Sequence, residues 1–340
     1  MKNAFLSAAA AILFAALLAI IANGSRSAGQ HQAAAQKSTE ETLPTEAESA
    51  GSVPEETRAA GQKAESDYDG RFYLPVLSGG KIDSMDLRTY LTGVLLSELP
   101  ERFSDETRKA QAVACRTYAL RSYERRRHSP AAVCTDAGCC QGWIDPQTVS
   151  PARREAAEQA VRATDGLVIC YQGKLIEATF FSCSGGRTET AAEVWGSDAP
   201  YLQSVDSPGE EEAAHFREET EVPLSDFRAA LEEENPVVSF PENKGAWVGA
   251  ITRTTGGGVA EMELGGQTFS GRTLRRLFSL RSTAFTLTLT DEAAVFETRG
   301  HGHRVGMSQY GAEAMAQAGK RFDEILKWYY RGVTVEPAEP

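Results

Sequence analysis

The chain has 340 residues, of which 41% are hydrophobic and 24% are charged, and this composition excludes a collagen-like, a wholly disordered and a multi-span membrane protein. A formal net charge of −12 argues against nucleic-acid binding through a basic surface. Six cysteines are too few for a scaffold built on disulfides, yet Cys134, Cys139 and Cys140 lie close together.

The chain begins with a long apolar segment. Residues 4–22 are almost unbroken apolar sequence, and no charged residue occurs from 3 to 23. Such a length spans a bilayer as a helix, whereas a cleaved signal peptide has a shorter apolar run and a clear small-residue cleavage site. We therefore predict a single-pass anchor in the cell membrane over residues 1–23, with the rest of the chain outside the cytoplasm. Residues 24–69 carry nine acidic and four basic residues and few apolar ones, which predicts a disordered acidic tether.

A folded domain is predicted over residues 70–336. Apolar spacing and turn residues predict helices over residues 86–96, 104–127, 151–163, 224–233, 272–278, 307–318 and 322–330. Alternating or β-branched runs predict strands over residues 167–171, 175–181, 259–264, 268–269, 284–289 and 293–298. The fold class is therefore α+β, a single mixed domain of interspersed helices and antiparallel hairpins, with a small inserted lobe at about 206–280.

Glu98 is the most conspicuous carboxylate. It follows the apolar residues Val94, Leu95 and Leu96 at a predicted helix end, before Pro100. An apolar setting raises the pKa of a carboxyl group, which could then serve as a general acid. The alternative is an ordinary surface glutamate at a helix C-terminus.

The second feature is a loop after the long helix that contains His128, Cys134, Cys139 and Cys140. One imidazole and three thiols at this spacing can close a tetrahedral Zn²⁺ site. A disulfide between Cys134 and one of the later cysteines, or free thiols, are the alternatives.

Two loops rich in small and polar residues follow predicted strands: residues 182–188 and residues 301–309. Hydroxyls, amides and imidazoles on such loops suit a carbohydrate ligand, although similar loops are often only turns. A Cys183–His303 nucleophile pair and a second zinc site at His301 and His303 are weaker alternatives.

Taken together, these motifs resemble the sporulation stage II protein D family of peptidoglycan lytic transglycosylases. The segments that carry the resemblance are residues 93–100 (GVLLSELP), 109–120 (KAQAVACRTYAL), the His128 to Cys140 run, 182–186 (SCSGG), 194–196 (VWG), 302–312 (GHRVGMSQYGA) and 325–332 (ILKWYYRG). Several motifs in the same order make the resemblance specific.

The resemblance implies that Glu98 is the catalytic acid and base. It implies a groove for glycan lined by Gln111, Arg116, Ser182, Ser184, Ser308 and Gln309. It also favours a structural zinc site at His128, Cys134, Cys139 and Cys140. The chain departs from the family pattern at Cys115, Cys183 and Arg304, and an arginine at position 304 could narrow the groove or contact an anion.

The expected reaction cleaves peptidoglycan between N-acetylmuramic acid and N-acetylglucosamine and leaves 1,6-anhydromuramoyl ends during engulfment in sporulation. The implied partners are glycan strands stripped of stem peptides, a cell-wall amidase and other membrane proteins of the engulfment machinery. A non-catalytic peptidoglycan-binding scaffold is the main alternative, and a Cys183-dependent hydrolase of stem peptides is a weaker one.

Overall fold

The computed structural model describes residues 67–197 and 199–339. The predicted anchor, and all of the predicted tether before residue 67, lie outside these residues. No helix in the described part is both long and apolar enough to cross a bilayer. Residues 67–69, assigned above to the tether, are folded: Tyr68–Arg71 is a short helix, and the Asp69 side chain is fully buried.

The architecture is mixed α+β, as predicted. The helices are α1 Tyr68–Arg71, α2 Leu87–Glu98, α3 Asp105–Glu124, α4 Pro151–Ala163, α5 Ala191–Trp195, α6 Leu224–Glu234, α7 Gly271–Leu277, α8 Gln309–Gln317 and α9 Phe322–Tyr329. The strands are β1 Tyr73–Ser78, β2 Lys81–Asp86, β3 Val133–Cys134, β4 Leu167–Tyr171, β5 Lys174–Leu175, β6 Phe180–Phe181, β7 Arg217–Pro223, β8 Val248–Arg253, β9 Val259–Leu264, β10 Gln267–Ser270, β11 Phe285–Leu289, β12 Ala293–Arg299, β13 Met307–Ser308 and β14 Thr334–Pro337.

The strands form several small sheets, ordered β2-β1-β3, β14-β4-β5, β13-β6, β10-β9-β8 and β11-β12-β7. Most pairs are antiparallel, and β1 with β3 and β6 with β13 are parallel. The predicted strand over residues 175–181 is divided. Lys174–Leu175 closes a hairpin on β4, whereas Phe180–Phe181 pairs with Met307–Ser308 far along the chain.

Three helices pack together around the first hydrophobic cluster. Helix α2 begins at Asp86, whose carboxylate accepts a hydrogen bond from the Thr89 amide, and it buries Tyr90, Leu91 and Val94. These side chains pack against α3 and α4. A second cluster joins the other face of α3 to β4, α8 and α9. Glu98, the last residue of α2, is therefore held by a rigid helical layer.

A third cluster forms a lobe of its own. Its buried aromatic and aliphatic side chains come from residues 227–296, and the two sheets around it are β10-β9-β8 and β11-β12-β7. Because β12 pairs with both β7 and β11, the lobe extends from Arg217 to Arg299. It thus begins and ends later than the predicted bounds of 206 and 280.

Candidate active site

A cleft of about 860 Å³ runs past the end of α2. Its wall includes Glu98, the loop with Cys139 and Cys140, and residues 177–182, which surround β6. Trp195 at the end of α5 and the His301–His303 segment close the other side. The lining combines two carboxylates, three arginines, five phenylalanine, tyrosine or tryptophan rings and several hydroxyl groups, a mixture that suits a polar polymer rich in hydroxyls.

Glu98 is half-buried at the wall of this cleft. The Gly142 amide donates a hydrogen bond of 2.8 Å to its Oε1 atom, and the side chain of Gln309 approaches the same carboxyl group. Burial raises the pKa of Glu98, while the contacts with Gly142 and Gln309 lower it by less. The result is a carboxyl group that holds its proton at a higher pH than an exposed glutamate does.

The segment that supplies this amide is packed onto α2. The Tyr90 hydroxyl donates a hydrogen bond of 3.2 Å to Oε1 of Gln141. A Cβ atom on Gly93 would lie 2.0 Å from Nε1 of Trp143, so only glycine allows the indole to approach the helix so closely. Contacts at Tyr90, Gly93 and Glu98 thus hold residues 141–143 along one face of α2.

A second carboxylate, Glu177, also lines the cleft. Its Oε2 atom lies 3.1 Å from Nε of Arg121 and 3.1 Å from Nη1 of Arg125. Glu177 is therefore engaged with two guanidinium groups, whereas no arginine or lysine forms an ion pair with Glu98 in the described part of the chain. The two carboxylates have different environments and suit different roles.

The four predicted zinc ligands lie together beside the cleft. One possible ligand atom from each of His128, Cys134, Cys139 and Cys140 lies within 4.8 Å of all the others. Nε2 of His128 is 3.1 Å from Sγ of Cys140 and 3.5 Å from Sγ of Cys139. A tetrahedral zinc site with Zn–S bonds of about 2.3 Å places its sulfurs about 3.8 Å apart, so the donor set and its spacing fit Zn²⁺. The described cysteines form no disulfide.

The predicted glycan-groove residues are only partly brought together. Ser182 lines the cleft, and Gln309 lies against Glu98. Gln111 is fully buried; its Nε2 atom lies 3.3 Å from Sγ of Cys115, and its Oε1 atom has no hydrogen-bond partner in the described residues. Neither Gln111 nor Cys115 lines the cleft.

Ser184 and Ser308 are directed toward a buried carboxylate instead. The Ser184 hydroxyl donates to Oε2 of Glu210 over 2.7 Å, and the Ser308 hydroxyl donates to Oε1 of the same residue. The amides of Ser184 and Gly185 add hydrogen bonds of 2.9 Å each to Oε2. Glu210 thus organises the loop at residues 182–186 from within, and both serines are fully buried.

Arg116 lies outside the cleft lining and is fully buried. Its guanidinium group forms a bidentate pair with Asp69, at 2.8 Å from Nε and 2.5 Å from Nη2. It also donates to the carbonyl oxygen of Leu167 over 3.1 Å. These contacts tie α3 to α1 and to the start of β4, which is a structural function.

Arg304 and Cys183 are also buried. Arg304 does not narrow the groove: it donates to Oε1 of Glu189 over 2.9 Å and to the carbonyl oxygens of Ser184 and Gly256 over 2.7 Å each. Burial raises the pKa of the Cys183 thiol to about 12, and this thiol lies 3.4 Å from Oε2 of Glu210. A thiol in this state is a poor nucleophile, so the geometry gives no support to a Cys183–His303 pair.

Two further residues line the cleft: Trp195, to which sequence reasoning assigned no role of its own, and His303, which it considered only within a polar loop, a nucleophile pair or a second zinc site. The Trp195 ring stands 5.1 Å from the His303 ring, and burial lowers the pKa of His303 to about 4. His303 is therefore neutral near pH 7 and can donate or accept a hydrogen bond. The signal for these roles was the presence of the two residues in the segments 194–196 and 302–312 that carry the family resemblance, because tryptophan at the end of a short helix has no distinctive pattern.

Comparison with known proteins identifies related chains. A family model described as stage II sporulation protein matches residues 78–171. Stage II sporulation protein D of Bacillus subtilis (strain 168) is 32% identical over 83% of this chain and 84% of its own length. The protein of the same name from Bacillus amyloliquefaciens is 33% identical over 77% of each chain. A B. subtilis protein named amidase enhancer is 27% identical over 72% of this chain and 40% of its own length.

Proposed function

Because this chain belongs to the stage II sporulation protein D family, we propose that it is a lytic transglycosylase that cleaves the glycan strands of peptidoglycan during sporulation. The observation that carries the proposal is the state of Glu98. It is a half-buried carboxyl group with a raised pKa, it stands at the wall of the large cleft, and the Gly142 amide positions it.

In this proposal Glu98 acts twice. It first gives its proton to the glycosidic oxygen between N-acetylmuramic acid and N-acetylglucosamine, as the bond from that oxygen to C1 breaks. The resulting carboxylate then takes the proton of the C6 hydroxyl of the same muramic acid, as O6 bonds to C1. The products are a free C4 hydroxyl on N-acetylglucosamine and a 1,6-anhydromuramoyl end, and Glu98 regains its proton.

This route requires one carboxyl group, whereas glycoside hydrolases require two that act on the scissile bond. The setting of Glu177 supports the one-acid route, since two arginines engage its carboxylate. Burial and the Gly142 amide act on the pKa of Glu98 in opposite directions. The Gly142 amide stabilises the carboxylate after proton transfer, and burial restores the acid form before the next cycle.

Aromatic and hydroxyl groups in the cleft suit a sugar polymer. Trp195 retains 38% of its surface exposed, and it lines the cleft together with Phe180, Ser182 and Tyr201. Indole and phenyl faces pack against the apolar faces of sugar rings, while the hydroxyls provide hydrogen bonds. We assign Trp195 and Ser182 to glycan binding and Gln309 to the orientation of Glu98.

We further propose that Zn²⁺ bound by His128, Cys134, Cys139 and Cys140 is structural. Four protein ligands leave no position for a catalytic water. The loop that ends at Cys140 continues directly into Gln141 and Gly142, the residues that contact Tyr90 and Glu98. An ordered loop would hold the Gly142 amide at its position against the acid.

The apolar segment at residues 1–23 is proposed to anchor the protein in the cell membrane, with the cleft outside the cytoplasm. The B. subtilis relative named amidase enhancer supports a partnership with a cell-wall amidase, which would supply glycan strands stripped of stem peptides. Other membrane proteins of the engulfment machinery are the remaining proposed partners.

The proposed function is tested by the products. Peptide-free glycan strands are incubated with the full chain, either wild type or Glu98→Gln, and the new ends are identified by mass spectrometry. We expect 1,6-anhydromuramoyl ends with the wild type alone. Reducing ends would indicate that the protein is a hydrolase and not a transglycosylase. Uncut strands that sediment with both proteins would favour the non-catalytic binding scaffold.

A further inference from the structure

A basic pocket opens next to the cleft. It has a volume of about 410 Å³ and is lined by Arg272, Arg275, Arg276, Arg281, Ser279 and His301, together with Leu280. His301 also lines the cleft that contains Glu98, so the two spaces share a wall. In a protein with a net charge of −12, four arginines around one pocket are a local reversal of charge.

Two of the four arginines are already paired with carboxylates. Nε of Arg281 lies 2.9 Å from Glu218, and Nη2 of Arg276 lies 2.6 Å from Glu234. Arg272 and Arg275 form no ion pair with any carboxylate of the described residues. Instead, Arg272 donates a hydrogen bond to the carbonyl oxygen of Val194, and Arg275 donates one to that of Leu280. The pocket therefore keeps an excess of positive charge.

The partial burial of Arg275 and its closeness to Arg272 favour the binding of an anion in this pocket. Burial and the nearby charge of Arg272 lower the pKa of Arg275, so each guanidinium group would gain from an anion between them. Burial, together with smaller contributions from His215, Arg281 and Arg275, lowers the pKa of His301 to about 4, which leaves its imidazole neutral. A neutral imidazole at the shared wall can hydrogen-bond a sugar hydroxyl while the arginines bind a neighbouring anion.

We propose that this pocket is a carboxylate-binding subsite of the cleft, in which Arg272 and Arg275 bind the free lactyl carboxylate of a muramic acid. The inference rests on the proposed function, since it takes the cleft ligand to be a glycan strand. Such a carboxylate exists only where the stem peptide has been removed, because the peptide is attached through an amide at that position. The pocket would thus distinguish stripped glycan from neutral glycan by charge.

The test is a binding measurement that needs no turnover. Full-length Glu98→Gln protein, which leaves strands uncut, is titrated calorimetrically with peptide-free glycan strands and with neutral chitin oligosaccharides of matched length. We expect the charged strands to bind about tenfold more tightly, the size of one charge-assisted hydrogen-bonded pair, and to lose this advantage as salt is raised.

The double variant Arg272→Gln/Arg275→Gln should bind both ligands with equal affinity. Arg275→Lys should retain part of the preference, and Arg154→Gln, which removes one charge from the surface of α4, should retain all of it. Melting temperatures verify that each variant is folded. An undiminished preference in the double variant, or no preference in the parent protein, overturns the subsite.

The two proposals fail separately. If the wild type yields no anhydromuramoyl ends but the arginine-dependent preference persists, the proposed transglycosylase activity is contradicted and the proposed carboxylate subsite still stands. Anhydromuramoyl ends from the wild type, together with a preference that does not depend on the arginines, would support the lytic transglycosylase and contradict the carboxylate subsite.

Discussion

The Gly142 amide donates a hydrogen bond of 2.8 Å to Oε1 of Glu98, and Gly142 follows the metal-ligand candidate Cys140 by only two residues. The proposed metal loop and the proposed acid are therefore linked by one short piece of backbone. Order in the loop fixes the position of the amide, and the amide fixes one oxygen of the carboxyl group. In the proposed function, this contact links the stability of the loop to the position of the catalytic acid.

Replacing Gly142 by alanine should disturb the acid more than the fold. An added Cβ atom would lie 2.6 Å from Oγ of Ser97, which must move, and 3.2 Å from Oε1 of Glu98, so the carboxyl group must also give way slightly. We expect activity on peptide-free glycan to fall by about tenfold to a hundredfold, with little change in melting temperature. Gly138→Ala is the matched control, since its Cβ would meet only the Asp136 side chain, at 3.2 Å or more. Equal activity of the two variants would contradict the positioning role.

The raised pKa of Glu98 predicts a pH-dependent stability difference. In the folded protein this group holds its proton at a pH where the unfolded chain has lost it, so ionisation at higher pH destabilises the fold. Glu98→Gln removes that penalty and keeps an oxygen for the Gly142 amide. Its melting temperature should exceed that of the wild type at about pH 7, and the difference should shrink toward about pH 4. A wild type that is the more stable protein at neutral pH would show that burial does not raise this pKa.

The buried pair of Asp69 and Arg116 predicts a large stability effect without a catalytic one. Asp69→Asn leaves a fully buried guanidinium group without its counter-charge, which should lower the free energy of unfolding by about 3–5 kcal/mol. Asp67→Asn removes a carboxylate that is half exposed and pairs with Arg88 at the surface, and it should cost less than about 1 kcal/mol. Urea denaturation measures both. A specific activity of folded Asp69→Asn protein far below that of the wild type would place Arg116 in the reaction after all.

Removal of the proposed metal should destabilise the protein before it affects the reaction. Treatment with a chelator should lower the melting temperature by about 10 °C or more, since structural zinc sites contribute directly to folding. Zinc should restore the melting temperature, and magnesium should not, because thiolate and imidazole ligands select zinc. An unchanged melting temperature after verified loss of metal would contradict the structural role.

Sequence patterns predicted the parts of this fold that depend on local chemistry. Asp86 begins α2 and Ser150 begins α4 through side-chain caps, and the predicted bounds of α4 agree with the structure at both ends. The short strands were harder to predict. Phe180–Phe181 pairs with Met307–Ser308 because of the tertiary fold, and two residues are too few to show a period.

Some residues of the candidate site were predicted correctly and others were not, again because the latter depend on contacts between distant parts of the chain. Glu98 and the four clustered cysteine and histidine side chains lie where sequence spacing suggested. Ser184 and Ser308 belong to recognisable loops, but the direction of their hydroxyls depends on Glu210, a buried acid whose sequence neighbours Glu211 and Glu212 are exposed. Arg116 likewise faces Asp69, a residue 47 positions earlier, which no local pattern reveals.

The most direct measurement compares Glu98→Gln with Glu177→Gln, the two variants that each remove one carboxylate of the cleft. The yield of 1,6-anhydromuramoyl ends from peptide-free glycan is measured for both beside the wild type. Our account predicts a loss of at least about a thousandfold for Glu98→Gln, the upper range for removal of a general acid and base, and a loss of less than about tenfold for Glu177→Gln. Equal, severe losses in both variants, with reducing ends among the wild-type products, would contradict the single-acid mechanism.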